Sequence, residues 1–197
     1  MVRSRAWISL LILAPVAAAA IFTRPYLAFE GLPEYSIEVL AWVLFFCGVA
    51  VRWWATLFIG GRKDAALVTQ GPYSVCRNPL YLGTLLITLS VGVFLQSLSL
   101  LLATALVGAG YVLITVPVEE RKLAERYGRS FDEYRQRVPC LLPNFSLLTE
   151  PAEIRVIPCG IHAEFKRSIQ YAAIPLICYL IEHLRMMPSW PTFFTLP

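Results

Sequence analysis

The chain has 197 residues, 57% of them hydrophobic and 15% charged, with 17 Lys and Arg against 13 Asp and Glu. A soluble domain carries about 25% charged residues, so a mean hydropathy of +0.62 excludes an ordinary water-exposed fold and suits a hydrocarbon solvent. The net charge of +4 sits in loops between apolar blocks, which argues for a membrane-lipid environment and against a nucleic-acid partner.

Five apolar segments follow in chain order: Trp7–Phe22, Ser36–Ile59, Leu80–Leu95, Leu98–Val118 and Ile169–Leu184. A spanning helix needs about 20 apolar residues, with about 17 as a working minimum. The expected fold is therefore all-α, a polytopic transmembrane bundle of about five segments. The first segment, preceded by Arg3 and Arg5 and ending in Ala17–Ala20, also fits a cleavable signal peptide. In the second, Arg52 lies about 10 Å short of the cytoplasmic end and is expected to snorkel beside Trp53 and Trp54, with a cavity-lining cation as the alternative. Only Gln96-Ser97 separates the third segment from the fourth, which forces an antiparallel helical hairpin. The last segment holds Pro175, expected to interrupt it, and is read as a span, with a re-entrant helix as the alternative. The predicted organisation is an N-terminal segment at 1–35, a membrane core at 36–145 and a C-terminal extension at 146–197.

Cys47, Cys76, Cys140, Cys159 and Cys178 contain no CxxC pair, so neither a metal site nor a disulfide framework is expected. Cys47 and Cys178 lie in apolar runs and read as small core residues. Basic residues set the orientation. Arg3, Arg5, Arg62, Lys63 and Arg77, then Arg121 through Arg137, put the N-terminus, the 60–79 loop and the 119–160 region in the cytoplasm.

Two polar stretches flank the hairpin. In the first, Gly71-Pro72 marks a turn, Asn78 is a favoured N-cap and Pro79 suits the first helical position. A helix N-terminus attracts anions, and Arg77 adds a positive charge that would suit a carboxylate; taken alone, the stretch fits better a snorkelling Arg77 beside an Asn78-Pro79 that serves only as a cap. In the second, Leu123 and Tyr127 share a face and Gly128 can end their helix. Ser130 and Glu133 form a capping box ahead of an apolar stripe of Phe131, Tyr134 and Val138. Glu125 and Arg129, at i,i+4, are expected to pair on the surface. Glu119 and Glu120 leave the membrane at a helix exit, where the dipole disfavours them unless a cation is near; spacing does not choose between them.

Together these stretches resemble the isoprenylcysteine carboxyl methyltransferase and phospholipid methyltransferase family of integral membrane enzymes. The first half matches through Leu67-Val68, Gly71, Tyr73, Arg77-Asn78-Pro79, Tyr81 and Gly83. The second matches through Glu119-Glu120, Leu123, Gly128, Tyr134, Val138-Pro139 and Pro143. The resemblance implies loops folded over S-adenosylmethionine and a lipid-like or prenylated acceptor entering from the bilayer. It implies that Leu67, Val68, Tyr73, Asn78, Pro79, Leu80 and Tyr81 line the cofactor pocket, with Glu119 on the far wall; Arg77 joins the binding set for its charge. Three positions depart from the family pattern. Asn78 stands where the family has a histidine before proline, a second family histidine is replaced near Ala65, and Thr115 stands where the prenylcysteine enzymes carry a substrate arginine.

S-adenosylmethionine carries its own leaving group, so alignment of donor and acceptor is the protein's main task. A carboxylate acceptor requires no base, whereas an ammonium acceptor must first lose a proton, and Glu119 and Glu120 are the catalytic candidates. Two alternatives stand beside methyl transfer: a non-enzymatic scaffold or assembly protein that retains the fold, and an NADPH-dependent reductase of the sterol-reductase kind.

Overall fold

The computed structural model describes residues 14–25, 32–60, 66–154, 156, 158–191 and 194–196. Arg3 and Arg5, most of the first apolar segment, and Arg62, Lys63 and Ala65 lie outside the described residues. Residues 14–21 are helical. Then come α1 (Leu32–Ile59), a one-turn α2 (Pro72–Val75), α3 (Pro79–Phe94) and α4 (Leu98–Gly110). A π turn at Tyr111–Thr115 carries α4 into α5 (Val116–Tyr127), followed by α6 (Arg129–Arg137) and α7 (Pro158–Met186). Among the described residues the departure from an all-helical chain is a three-residue parallel pair, Thr23–Pro25 against Phe194–Leu196.

Among the described residues, two stretches are long and apolar enough to cross a bilayer, Tyr35–Ile59 and Leu98–Tyr127, while Pro79–Phe94 is apolar but shorter. Their outward faces are hydrocarbon: Val39, Val43 and Phe46 on α1 and Leu102, Leu106, Leu113 and Ile114 along α4 and the π turn are all exposed. Such surface is costly in water and free of cost in lipid. Between α1 and α3 the helices touch backbone to backbone, since a Cβ on Gly48 would lie 2.7 Å from the Gly83 carbonyl oxygen. Small residues give membrane helices this close approach, where dispersion replaces the hydrophobic drive.

The hairpin turns where the sequence places it. Gln96 adopts φ 48°, and Ser97 caps α4 by accepting from the Leu100 amide at 3.3 Å. Around this end, Ala41, Phe45, Ile87, Phe94, Leu95, Leu100 and Cys178 form the largest apolar cluster. The Arg185 Nη1 closes it by donating to the Leu95 carbonyl at 3.0 Å.

Several expectations are corrected here. Arg52 does not snorkel: it is 8% exposed, and its Nε and Nη2 donate to both carboxylate oxygens of Glu164 at 2.7 and 2.9 Å. The reason is α7, which brings a carboxylate to the guanidinium and removes the need to reach water. Pro175 does not interrupt α7, which runs unbroken from Pro158 to Met186; a proline removes one backbone bond, and the packed helix absorbs that loss. Cys178 is buried as expected, but Cys47 is exposed, because in a bilayer an apolar run does not distinguish core from lipid face. Ser130 is not a cap: α6 begins at Arg129 with Gly128 at the N-cap, and the Arg129 Nε donates to Glu133 at 2.9 Å.

Candidate active site

The two polar stretches fold against each other as one cap at the hairpin's open end. Gly71, at φ 59°, makes the turn, and a Cβ there would strike the Phe58 ring at 2.2 Å. From that turn the first stretch runs beside residues 134–149. Backbone bonds join Gly71 to Thr149, Arg77 to Pro139 and Asn144 to Val75, at 2.8, 2.9 and 3.0 Å. The Tyr134 hydroxyl donates to the Tyr73 carbonyl at 2.7 Å. Beneath it Phe131, Tyr134 and Val138 bury the predicted stripe against Leu67, Leu123 and Tyr127. Burial holds the Tyr73 and Tyr134 hydroxyls well above the ordinary tyrosine range, and pushes the Cys76 thiol up to about 11.

Glu119 and Glu120 meet different partners. The Tyr81 hydroxyl donates to Glu119 Oε1 at 3.0 Å. The Arg77 Nε donates to Glu120 Oε1 at 2.8 Å, with both side chains 13% exposed. The Arg77 Nη1 also donates to the Arg135 and Val138 carbonyls at 2.9 and 2.6 Å. Arg77 is therefore not an open anion receptor: its charge is spent within the cap, holding the end of α6 to the start of α3. Asn78 does occupy the N-cap position with Pro79 next, but its side chain does not cap. Its Nδ2 donates to the Cys140 carbonyl at 3.1 Å, a bond that bridges the two stretches.

The remaining sequence-derived candidates pack into the cap and the helix beneath it. Pro79 is fully buried, Leu67 packs beneath α6, and Val68 and Leu80 pack around Ala55, Phe58 and Tyr73. The Tyr73 hydroxyl is buried with no hydrogen-bond partner among the described residues, as is that of Tyr127.

Beside the cap, a cavity of about 270 Å³ lies between the hairpin arms. Tyr81, Thr84, Leu85 and Thr88 line it from α3, and Thr104, Val107, Gly108, Tyr111 and Val112 from the other arm. Tyr81 and Tyr111 approach with ring centroids 5.8 Å apart. The π turn begins at Tyr111, and such turns are frequent at functional sites. The sequence reading missed this wall, although Tyr81, Thr84 and Thr88 share one face of an apolar helix and the hydroxyl spacing alone marks it. These groups fit S-adenosylmethionine by chemistry. A carboxylate suits its ammonium or ribose hydroxyls, tyrosine faces suit its sulfonium, and three buried hydroxyls, those of Tyr73, Tyr127 and the cavity-lining Thr104, lack partners among the described residues.

The phospholipid methyltransferase family model matches residues 36–130, which hold most of α1, the hairpin and both glutamates. Protein-S-isoprenylcysteine O-methyltransferase B of Arabidopsis thaliana is 30% identical over 135 residues, covering 54% of this chain and 68% of that protein. The chain belongs to the isoprenylcysteine and phospholipid methyltransferase family. Within the same similarity lies the nickel-cobalt-cadmium resistance protein NccN of Alcaligenes xylosoxydans xylosoxydans, 30% identical over 74% of this chain and 68% of that protein. The cobalt-zinc-cadmium resistance protein CzcN of Cupriavidus metallidurans is 42% identical over 49% of this chain, which spans 44% of CzcN. No solved structure matches the chain.

Proposed function

We propose that this membrane protein is an S-adenosylmethionine-dependent methyltransferase acting on a carboxylate or amine of a lipid-like or prenylated acceptor. The observation that supports this is the convergence of Tyr81 with Glu119 and Arg77 with Glu120, from two motifs about 40 positions apart, beside the hairpin cavity.

S-adenosylmethionine supplies a methyl group on a sulfonium that leaves as a neutral thioether. The residues that would hold it are Leu67, Val68, Tyr73, Asn78, Pro79, Leu80 and Tyr81 with Glu119. Glu119 is oriented by Tyr81. With an ammonium acceptor its carboxylate takes the proton and exposes the nitrogen lone pair; with a carboxylate acceptor it has no proton to move. Glu120, neutralised by Arg77, is a strut of the cap rather than a base. The Tyr81 and Tyr111 rings draw a cation to the cavity mouth and help to exclude water.

In this reading the cap faces the cytoplasm, where Arg121, Lys122, Arg126, Arg129, Arg135 and Arg137 cluster. About five segments enter the bilayer, with 36–145 as the catalytic core and 1–35 and 146–197 as additions. The names of two relatives raise a metal-handling reading, which no observation on this chain favours over methyl transfer.

The test is calorimetry with S-adenosylmethionine on protein in lipid nanodiscs, together with labelled methyl transfer to a total lipid extract. Saturable binding and a labelled lipid are expected. Absence of cofactor binding removes the reading.

A further inference from the structure

The cavity between the hairpin arms has two levels. At one, the Tyr81 and Tyr111 rings meet at a tilt beside Glu119. Seven residues further along α3 is Thr88, and seven back along α4 is Thr104. At 1.5 Å per residue both lie about 10 Å from the tyrosines, and both line the cavity.

Their hydroxyls differ in an informative way. A threonine in a helix ordinarily satisfies its hydroxyl on the carbonyl four residues back. Thr84 and Thr88 do so, each donating at 2.8 Å, to Leu80 and Thr84 respectively. Thr104 does not. It is 3% exposed, and its Oγ1 has no hydrogen-bond partner among the described residues. In an apolar interior an unmade hydrogen bond costs free energy, since no water replaces the partner. Thr88 has given its proton away and keeps lone pairs to accept with, while Thr104 retains a proton to donate. One free donor and one acceptor at the same level complement a hydroxyl, amide or carbonyl.

The rest of the lining is apolar: Leu85, Val107, Val112 and Leu141. Gly108 keeps the space open, since a Cβ there would lie 2.8 Å from the Leu85 Cδ1. A plain hydrocarbon chain would fill this cavity and leave Thr104 unpaired.

We propose that the cavity selects an amphipathic acceptor whose chain carries a hydrogen-bonding group about 10 Å from its reactive end, and that Thr104 reads that group. This deepens the methyltransferase reading and rests on it for the direction in which the acceptor lies.

The experiment compares two probes on the full chain in phosphatidylcholine nanodiscs: stearate, and a hydroxystearate whose hydroxyl lies about 10 Å from the carboxylate. Wild type should bind the hydroxystearate roughly fivefold or more tightly, the usual worth of one hydrogen bond. Thr104→Val should bring the two affinities together without weakening stearate binding, and Thr104→Ser should keep the preference. Equal affinities in wild type, failure of both probes to bind, or a preference that survives Thr104→Val would overturn the assignment. Labelled methyl transfer on the same samples separates the two claims. A Thr104-dependent preference without transfer supports the cavity assignment and removes the enzymatic reading, whereas transfer without a preference does the reverse.

Discussion

Arg52 and Glu164, 112 positions apart, form a two-pronged ion pair inside the helix bundle. The same guanidinium donates from Nη1 to Thr84 Oγ1 at 2.7 Å and to the Leu80 carbonyl at 3.3 Å. It thus ties α7 to the wall of the cavity. Removing one partner of a buried pair leaves a charge without compensation, at a cost of about 3–5 kcal/mol. Glu164→Ala should therefore lower stability strongly, as read by thermal unfolding in detergent. The double replacement Arg52→Met with Glu164→Leu should recover most of that loss, since an apolar pair of similar volume needs no desolvation. A single variant as stable as wild type would show that the pair does not hold α7.

That pair also marks where the sequence stopped being readable. The hairpin was legible because two polar residues between apolar blocks allow only a tight reversal. The stripe of Phe131, Tyr134 and Val138 and the stop at Gly128 followed from helical periodicity and glycine's freedom at positive φ. The partner of Arg52 was not legible, because it comes from a helix whose polar first turns gave no apolar signal. Nor was the exposure of Cys47: in lipid an outward-facing side chain is as apolar as an inward one, so hydropathy carries no inside-outside information. At the cap, the residue types were readable and their pairing was not. Spacing left Glu119 and Glu120 equivalent, and tertiary contact with Tyr81 and Arg77 distinguishes them.

The two glutamates should separate experimentally. Glu120→Gln breaks the largely shielded pair with Arg77, and a hydrogen bond to a charged group contributes about 1.5–3 kcal/mol. It should lower the unfolding temperature. Glu119→Gln should leave that temperature close to wild type and weaken S-adenosylmethionine binding at least about tenfold, or about 1.4 kcal/mol. Calorimetry with thermal unfolding on both variants checks this. Equal losses of binding and stability in the two would mean that both carboxylates serve the cap alone.

Alkaline pH should loosen the cap. Burial raises the Cys76 thiol to about 11 in the folded state, above the value of about 8.5 in an unfolded chain. Between these values the folded state holds a proton that the unfolded state has lost, so stability falls as pH rises. The contribution is fully present below the unfolded value and lost as pH climbs through the folded one. Tyr73 and Tyr134, also raised by burial, act in the same direction above about pH 10. The unfolding temperature should decline across this range, and Cys76→Ala should flatten the first part of the decline. A profile level to pH 11 would mean these groups are not buried together.

The π turn yields the sharpest geometric test. A π turn holds one residue more than an α turn, and the helices on either side keep their facing because that residue is absorbed locally. Leu113 and Ile114 sit in the turn and are exposed, so removing them disturbs little packing. Deleting Ile114 should convert the turn to regular helix and leave Glu119 facing Tyr81. Deleting Leu113 and Ile114 together removes one residue more than the turn can absorb. It should swing everything beyond by about 100°, the angle per residue of an α-helix, and carry Glu119 away from the cavity. The readout is cross-linking of Tyr81→Cys with Glu119→Cys by a short bis-maleimide, with the native cysteines replaced by serine. Efficient cross-linking in the single deletion and its loss in the double deletion are expected. The same yield in both would show that the facing of Glu119 does not depend on this turn.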